Sequence, residues 1–183
     1  MKCVNAGQAA DWCRARGIVF SDRHLRRLGY DEGHPLAISI EAPTNTQRLL
    51  ALGYVILATA SDDERSFEGG LLWLNDWDIW SESFERVGHW LAKSLRVGCH
   101  HGAIADAPGH LFDPGEFIQA QALLLLPMVF QWDAHFIPAN GQFLVRLGHH
   151  GELHLISRDR VIADQLFSRF EEGEWNPREV AAP

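Results

Sequence analysis

The 183-residue chain contains few cysteines, which argues against the classes of protein that disulfides or zinc-thiolate sites hold together. Its three cysteines, Cys3, Cys13 and Cys99, are an odd number and include no Cys-x-x-Cys pair. Neither a disulfide framework nor a zinc-thiolate site is therefore predicted, and Cys3 and Cys13 can pair only if folding brings them close. Free thiols are typical of a reducing cytosol, so we expect a cytoplasmic protein.

Long apolar runs are also missing. The longest, 122–130, has nine residues and contains Pro127, whereas a membrane-spanning helix needs ~20. The N-terminus has no basic region followed by an apolar stretch, so no signal peptide is predicted. We expect no membrane partner.

The chain has fewer basic than acidic residues. It contains 16 lysines and arginines and 24 aspartates and glutamates, so its net charge is −8. A nucleic-acid partner needs a basic footprint, which this balance argues against. The one basic island, 23–27, is interpreted as a solvated helix face. A protein or a small molecule remains open as the partner.

What the chain does contain is enough apolar residues for a core. Hydrophobic residues make up 46% and charged residues 22%, which is typical of a globular protein. We expect a single domain over 1–183, with a polar tail at 176–183 that frays.

Periodicity and turn residues predict a mixed order of helices and strands. The expected fold class is α+β, with an antiparallel sheet that includes a C-terminal three-strand meander and packs against several helices. Residues 98–112 are expected to form a loop. Predicted helices are 6–16, 21–28, 46–52, 82–97, a segment from 113 to about 125 ended or kinked by Pro127, and 161–170; predicted strands are 36–40, 54–60, 132–137, 142–147 and 152–157.

The predicted helix at 82–97 has an apolar stripe. Phe84, Val87, Leu91 and Leu95 are spaced three and four residues apart, and Trp90 adjoins them. This spacing is typical of an amphipathic helix.

Polar and aromatic residues cluster at 71–80, and the Gly-Gly lead favours a short strand followed by a turn. Trp73 and Trp77 then share one strand face, and Asp76 and Asp78 share the other; in a helix, Trp73, Trp77 and Trp80 would share a face instead. An aromatic wall beside carboxylates suits a flat or cationic ligand. Core packing, with indole N–H groups bonded to carboxylates, is the favoured alternative.

Imidazoles and carboxylates cluster in two further places. His100, His101, Asp106 and His110 are weak candidate metal ligands, because adjacent histidines diverge and their spacing matches no zinc motif; a solvated loop is favoured and no metal is assigned.

Asp133 and His135 share a strand face. The aspartate there could orient a general base, although a structural polar pair is favoured. His149 and His150 are expected to be exposed turn residues, and Cys99 is taken as an ordinary thiol. No nucleophile elbow or nucleotide-binding loop occurs, so neither catalytic residues nor a cofactor is assigned.

The motifs at 72–80, 107–112 and 132–138 resemble an uncharacterised family of small bacterial proteins, over about 69–157. The resemblance implies a bacterial, cytosolic protein and suggests that the three clusters belong together. It implies no activity.

The leading hypothesis is a non-catalytic binding or interaction module of unknown partner. The alternatives are a small hydrolase, with or without the assistance of a metal ion, and a small-molecule sensor with a Trp-lined pocket. These hypotheses depend on the indoles and imidazoles gathering around a common hollow, and whether His110 and His135 converge on one cavity is the observation that tests this. The candidate pocket residues are Trp73, Asp76, Trp77, Asp78, Trp80, His110, Trp132, Asp133 and His135.

Overall fold

The structure is a computed structural model that describes residues 1–20, 28–30, 36–60 and 67–181. In these ranges five helices alternate irregularly with ten strands. The helices are α1 (Ala6–Arg14), α2 (Thr46–Thr59), α3 (Glu82–Arg96), α4 (Phe117–Phe130) and α5 (Arg160–Glu172). The strands are β1 (Lys2–Val4), β2 (Ile18–Phe20), β3 (Leu28–Tyr30), β4 (Leu36–Glu41), β5 (Gly70–Asp76), β6 (Gly109–Phe112), β7 (Asp133–Pro138), β8 (Phe143–Leu147), β9 (Glu152–Ser157) and β10 (Arg178–Ala181).

Eight of the described strands form one antiparallel sheet in the order β1-β6-β5-β7-β8-β9-β4-β10, while β2 pairs with β3. Both faces of the sheet are covered. Residues of α1, β2 and β3 pack on one face together with Leu71 and Trp73. Residues of the other four helices pack on the opposite face together with Leu72 and Leu74. Successive residues of β5 thus enter different cores, because a strand alternates its side chains.

The predicted α+β class is confirmed, including the meander, which is β7-β8-β9. The predicted short strand is confirmed as Gly70–Asp76, but Trp77 and Asp78 follow it and therefore share no strand face with Trp73 and Asp76. Among the described residues, no helix has both the length and the apolar character needed to cross a bilayer.

The prediction of a helix at 46–52 followed by a strand at 54–60 is wrong, because α2 continues to Thr59. Gly53 suggested an end to the helix, but it is buried in the middle of α2. A side chain built there would lie 3.7 Å from Leu125 and 3.8 Å from Met128. The glycine is therefore an interior helix position beside α4, with room for a methyl group, and not a helix terminus.

Long-range pairing creates strands that local patterns did not predict. The expected loop at 98–112 contains a 3₁₀ turn, Ile104–Asp106, and β6, which lies between β1 and β5. The expected frayed tail contributes β10, which pairs with β4. These strands have only four residues each, too few for a periodic signal.

Two helix predictions also change. The helix predicted to start at Asp113 starts at Phe117, and it continues past Pro127 to Phe130. Of the helix predicted at 21–28, residues 21–27 lie outside the described residues, as does the basic island at 23–27. Leu28 belongs to β3.

The cysteine prediction is wrong for two of the three residues. Cys3 and Cys99 form a disulfide that joins β1 to the segment after α3, and Cys13 is the buried free cysteine. The argument from free thiols to a reducing compartment then applies to Cys13 alone, and the cytoplasmic location stays a prediction.

Two helical glycines should respond oppositely to alanine. Gly53→Ala should raise the free energy of unfolding by ~0.5–1 kcal/mol, because the methyl group meets only ordinary contacts and restricts the unfolded chain. At Gly88 of α3, an added Cβ would lie 2.5 Å from the Trp132 ring. Gly88→Ala should therefore lower the free energy of unfolding by about 1–3 kcal/mol. Urea unfolding of both variants measures the difference, and equal shifts would contradict this packing.

The disulfide predicts how many thiols react in the unreduced protein. The protein is purified in air-equilibrated buffer and then denatured. Of the three cysteines in the chain, only Cys13 should then react with a thiol reagent, since the other two are bonded to each other. Reduction should expose the other two. Cys13→Ser is the control and should show none before reduction; three reactive thiols in the unreduced wild type would exclude the Cys3–Cys99 bond.

Candidate functional site

Six of the nine candidate pocket residues gather at one end of the sheet, where β5 ends and β7 begins. The register after a bulge sets Asp76 directly opposite Asp133. Trp77, Asp78 and Trp80 follow β5 and Trp132 precedes β7. Antiparallel pairing therefore unites two clusters that lie over fifty residues apart in the sequence.

Trp132 anchors this end of the molecule. Its side chain is fully buried, and its Nε1–H donates to Oε2 of the buried Glu85 on α3 at 2.6 Å. The other carboxylate oxygen of Glu85 accepts from the backbone N–H of Trp80 at 3.1 Å. This is the favoured core-packing arrangement for Trp132, an indole bonded to a carboxylate, and it fixes α3 onto the sheet.

An open cleft lies beside this anchor. Its volume is about 410 Å³, and it is lined by Asp78, Trp80, Glu82, Glu85, Arg86, His89 and Trp90. Trp80 is 41% exposed and its Nε1–H donates to the carbonyl of Gln131 at 3.2 Å. Asp78 lies 3.3 Å from Nε2 of His89. We call this the Trp80 cleft.

The side of α3 that faces the protein is polar or small. Glu85, Gly88, Ala92 and Arg96 are its buried residues. Arg96 donates from Nη2 to the carbonyl of Ala107 at 2.7 Å, and burial lowers the pKa of its guanidinium. Buried charged groups need such partners, because an unpaired one is costly.

The apolar stripe of α3 faces solvent instead. Trp90 is 68% exposed, and Phe84 is 44% exposed although its ring lies 5.0 Å from that of Phe130. The stripe thus lies to one side of the core-facing residues of α3, whereas the stripe of an ordinary surface helix faces the core. We call this surface the α3 apolar face; it consists of Trp80, Phe84, Val87, Trp90, Leu91 and Leu95, all of them exposed.

The predicted common cavity does not form around His110 and His135. His110 pairs with Leu72 and His135 with Trp73, so the two imidazoles lie on opposite faces of the sheet. Both side chains are buried, as is that of Trp73. Trp77 is half-buried against the helix-side core. The three residues inside the sheet thus contribute to packing.

His110 is electrically neutral at physiological pH. Burial, and then the nearby positive charge of Arg96, lower its pKa to about 3, although backbone interactions with Leu72 and Pro108 oppose the shift. An imidazole that is fully buried and neutral cannot exchange protons with a substrate in solution. His110 is therefore unsuited to general base catalysis.

The predicted Asp133–His135 pair does not form. Asp133 accepts hydrogen bonds from the backbone N–H of His149 at 2.9 Å and from its Nδ1 at 2.8 Å. His135 instead contacts Oδ1 of Asn75 through Nδ1 at 2.6 Å. The histidine that Asp133 orients belongs to the turn between β8 and β9, and its ring lies 4.0 Å from that of His150.

The weak metal candidates remain scattered. Nε2 of His100 lies 4.0 Å from Asp106, while His101 is exposed and His110 is buried. Across the part of the chain that the structure describes, no group of three or more His, Cys, Asp or Glu side chains is arranged to hold a metal ion.

A second cleft, of about 620 Å³, was missed by the sequence analysis. Arg48 of α2 lies over the Trp175 ring at 4.8 Å and donates to the carbonyl of Glu174 at 3.0 Å. Glu41 and Arg178 also line the cleft, so its charges are mixed and favour neither an anion nor a cation. Trp175 stands alone in the sequence, and no motif marked it.

Comparison of the chain with protein-family profiles, with curated proteins and with solved structures finds no match. The resemblance to small bacterial proteins therefore stays a prediction, and functional inference depends on the geometry of this chain.

Removing one acceptor at Glu85 tests the anchor. Glu85→Gln should lower the free energy of unfolding by about 1–3 kcal/mol, because the amide offers one acceptor oxygen to two donors and one buried donor loses its partner. Urea unfolding measures the change. The matched control is Glu68→Gln at an exposed glutamate, which should stay within ~0.5 kcal/mol of wild type; similar shifts for both would contradict the anchoring role.

Proposed function

We propose that the protein is a non-catalytic interaction module that binds another polypeptide through the α3 apolar face. The observation that carries the proposal is the orientation of α3. Its polar side is held against the protein by Glu85 and Arg96, while its large apolar side chains are exposed to solvent.

The size of the exposed surface supports a protein partner. Tryptophan and phenylalanine side chains span ~150–250 Å² each, so the exposed fractions of Trp80, Phe84 and Trp90 leave on the order of 300 Å² of aromatic surface in water. The largest apolar patch on a monomer is typically ~300–600 Å² and is often functional. Covering such a surface removes apolar area from water, which favours association.

The placement of the candidate histidines supports binding over hydrolysis. His110 and His135 are buried on opposite faces of the sheet, and Asp133 is paired with His149. The exposed aromatic residues, Trp80 and Trp90, border an open cleft at the edge of the α3 apolar face. Such a cleft suits a side chain of a bound partner, which would anchor the interface.

Peptide selection tests the proposal without a known partner. The probe is a library of 16-residue helical peptides displayed on phage and selected against the immobilised protein. We expect enriched peptides with apolar residues at helical spacing, because they cover the α3 apolar face. Leu91→Asp should weaken their binding at least tenfold, measured by fluorescence anisotropy.

The matched control is Ile118→Asp, since Ile118 is an apolar residue of α4 that is 77% exposed and lies outside the α3 apolar face. This variant should bind the peptides as wild type does. Failure to enrich peptides, or equal binding by both variants, would overturn the proposal.

A further inference from the structure

We infer that the Trp80 cleft is a binding site for a quaternary methylammonium group, the group that choline and trimethylated lysine share. In this site the group lies against the rings of Trp80 and Trp90, beside the carboxylates of Asp78 and Glu82. The inference goes beyond the proposed function and does not rest on it, because the cleft occupies a different flank of α3.

The part of α3 that lines the cleft is a single row of side chains. Glu82, Arg86 and Trp90 recur every four residues and therefore lie one above the other along the helix. The centre of this row lies ~145° around the helix axis from the centre of the apolar stripe that contains Leu91. A ligand in the cleft and a polypeptide on the stripe thus contact different sides of α3.

The two tryptophan rings of the cleft are available to a ligand. Trp80 and Trp90 are both exposed. Trp80 is also held in place, because its Nε1–H donates to the carbonyl of Gln131 and its backbone N–H donates to Glu85. The face of an aromatic ring has a negative potential that attracts a cation, and tryptophan gives the strongest such contact.

Other aromatic rings of this chain already have a cation of the chain over them. The guanidinium carbon of Arg16 lies 3.5 Å from the ring centre of Trp12, that of Arg48 lies 4.8 Å from Trp175 and that of Arg158 lies 4.4 Å from Tyr30. Among the described residues, no cation is placed in this way over Trp80 or Trp90. A cationic ligand supplies the contact that these two rings lack.

The charges of the cleft also favour a cation. Asp78, Glu82 and Glu85 line it together with one guanidinium, that of Arg86. Both oxygens of Glu85 are bonded within the protein. Asp78 and Glu82 are exposed, and each is paired through one oxygen, with His89 and Arg86 respectively. The net charge of −8 on the chain attracts cations over a longer range.

The existing ion pairs favour a fully methylated cation over a primary ammonium group. A primary ammonium has three N–H donors that need acceptors, and the carboxylates of Asp78 and Glu82 already have partners. A quaternary ammonium has no donor, and its methyl groups pack against aromatic rings. The cleft volume of about 410 Å³ falls within the range of small-molecule sites, ~300–1,000 Å³.

A pair of ligands of equal shape tests the inference on the full chain. The probes are choline and its neutral isostere, in which a tert-butyl group replaces the trimethylammonium group. Each ring–cation contact contributes a factor of roughly two to five, so choline should bind wild type about tenfold more tightly than the isostere. Titrations followed by saturation-transfer NMR of the methyl protons measure both dissociation constants. Equal affinities, or no binding of choline at tens of millimolar, would overturn the inference.

Tryptophan variants locate the site. Trp90→Leu should reduce the preference for choline over the isostere from about tenfold to about threefold, because one ring is removed. The matched control is Trp12→Leu, since Trp12 lies outside the cleft and already has Arg16 over its ring; its preference should equal that of wild type. Circular dichroism establishes that both variants are folded. An unchanged preference in folded Trp90→Leu would overturn the assignment of the cleft.

Carboxylate variants test the contribution of charge. The double variant D78N/E82Q should weaken choline binding about threefold and leave the isostere unaffected, since it removes two nearby negative charges. The control Glu68→Gln, at an exposed glutamate outside the cleft, should bind both ligands as wild type does. Equal weakening of choline by D78N/E82Q and by Glu68→Gln would contradict a role for these two carboxylates.

A short peptide with one trimethyllysine distinguishes the two sources of the group. If the site serves a modified protein segment, the peptide should displace choline and bind more tightly than choline; if it serves a free small molecule, choline should bind more tightly. Loss of choline binding in Leu91→Asp, a variant of the stripe and not of the cleft, would overturn the separation of the two surfaces. Failure of peptide selection on the stripe leaves the choline result unaffected.

Discussion

The buried carboxylate of Glu85 is the constraint on which the rest of the site depends. It accepts the indole N–H of Trp132 and the backbone N–H of Trp80, so it ties α3 both to the start of β7 and to the segment after β5. A carboxylate can be buried only with such partners. Once this side of α3 faces inward, helical geometry directs Phe84, Val87 and Leu91 outward.

The two ends of α3 are held by different interactions. Near the N-terminal end, Glu85 bonds to Trp132, and Gly88 allows the helix to approach the indole ring. Near the C-terminal end, Arg96 bonds to the carbonyl of Ala107, and the Cys3–Cys99 disulfide follows the helix. Hydrogen bonds and a covalent link thus supply much of the attachment that apolar packing gives α2 and α4. The apolar residues of α3 remain available for a partner.

In this arrangement the exposed aromatic residues form a surface on α3 and do not line a buried pocket. The sequence pointed to imidazoles and indoles around a hollow, but the strand register buries His110 and His135 on opposite faces. Trp80 alone among the nine candidates is a large aromatic residue left exposed. It joins Trp90, a residue outside the predicted pocket, at the edge of the α3 apolar face.

Local patterns were sufficient for the α+β class, the meander, α3 and the strand β5, because helix caps, glycine turns and alternation act over a few residues. They were insufficient for β6 and β10, which are too short to carry a period, and for Gly53, whose role depends on α4. The stripe on α3 was visible in the sequence as well. Which side of that helix faces the protein was decided by Glu85 meeting Trp132, a contact between residues 47 positions apart. Periodicity defines the two sides of a helix, but only the tertiary partners determine which one is buried.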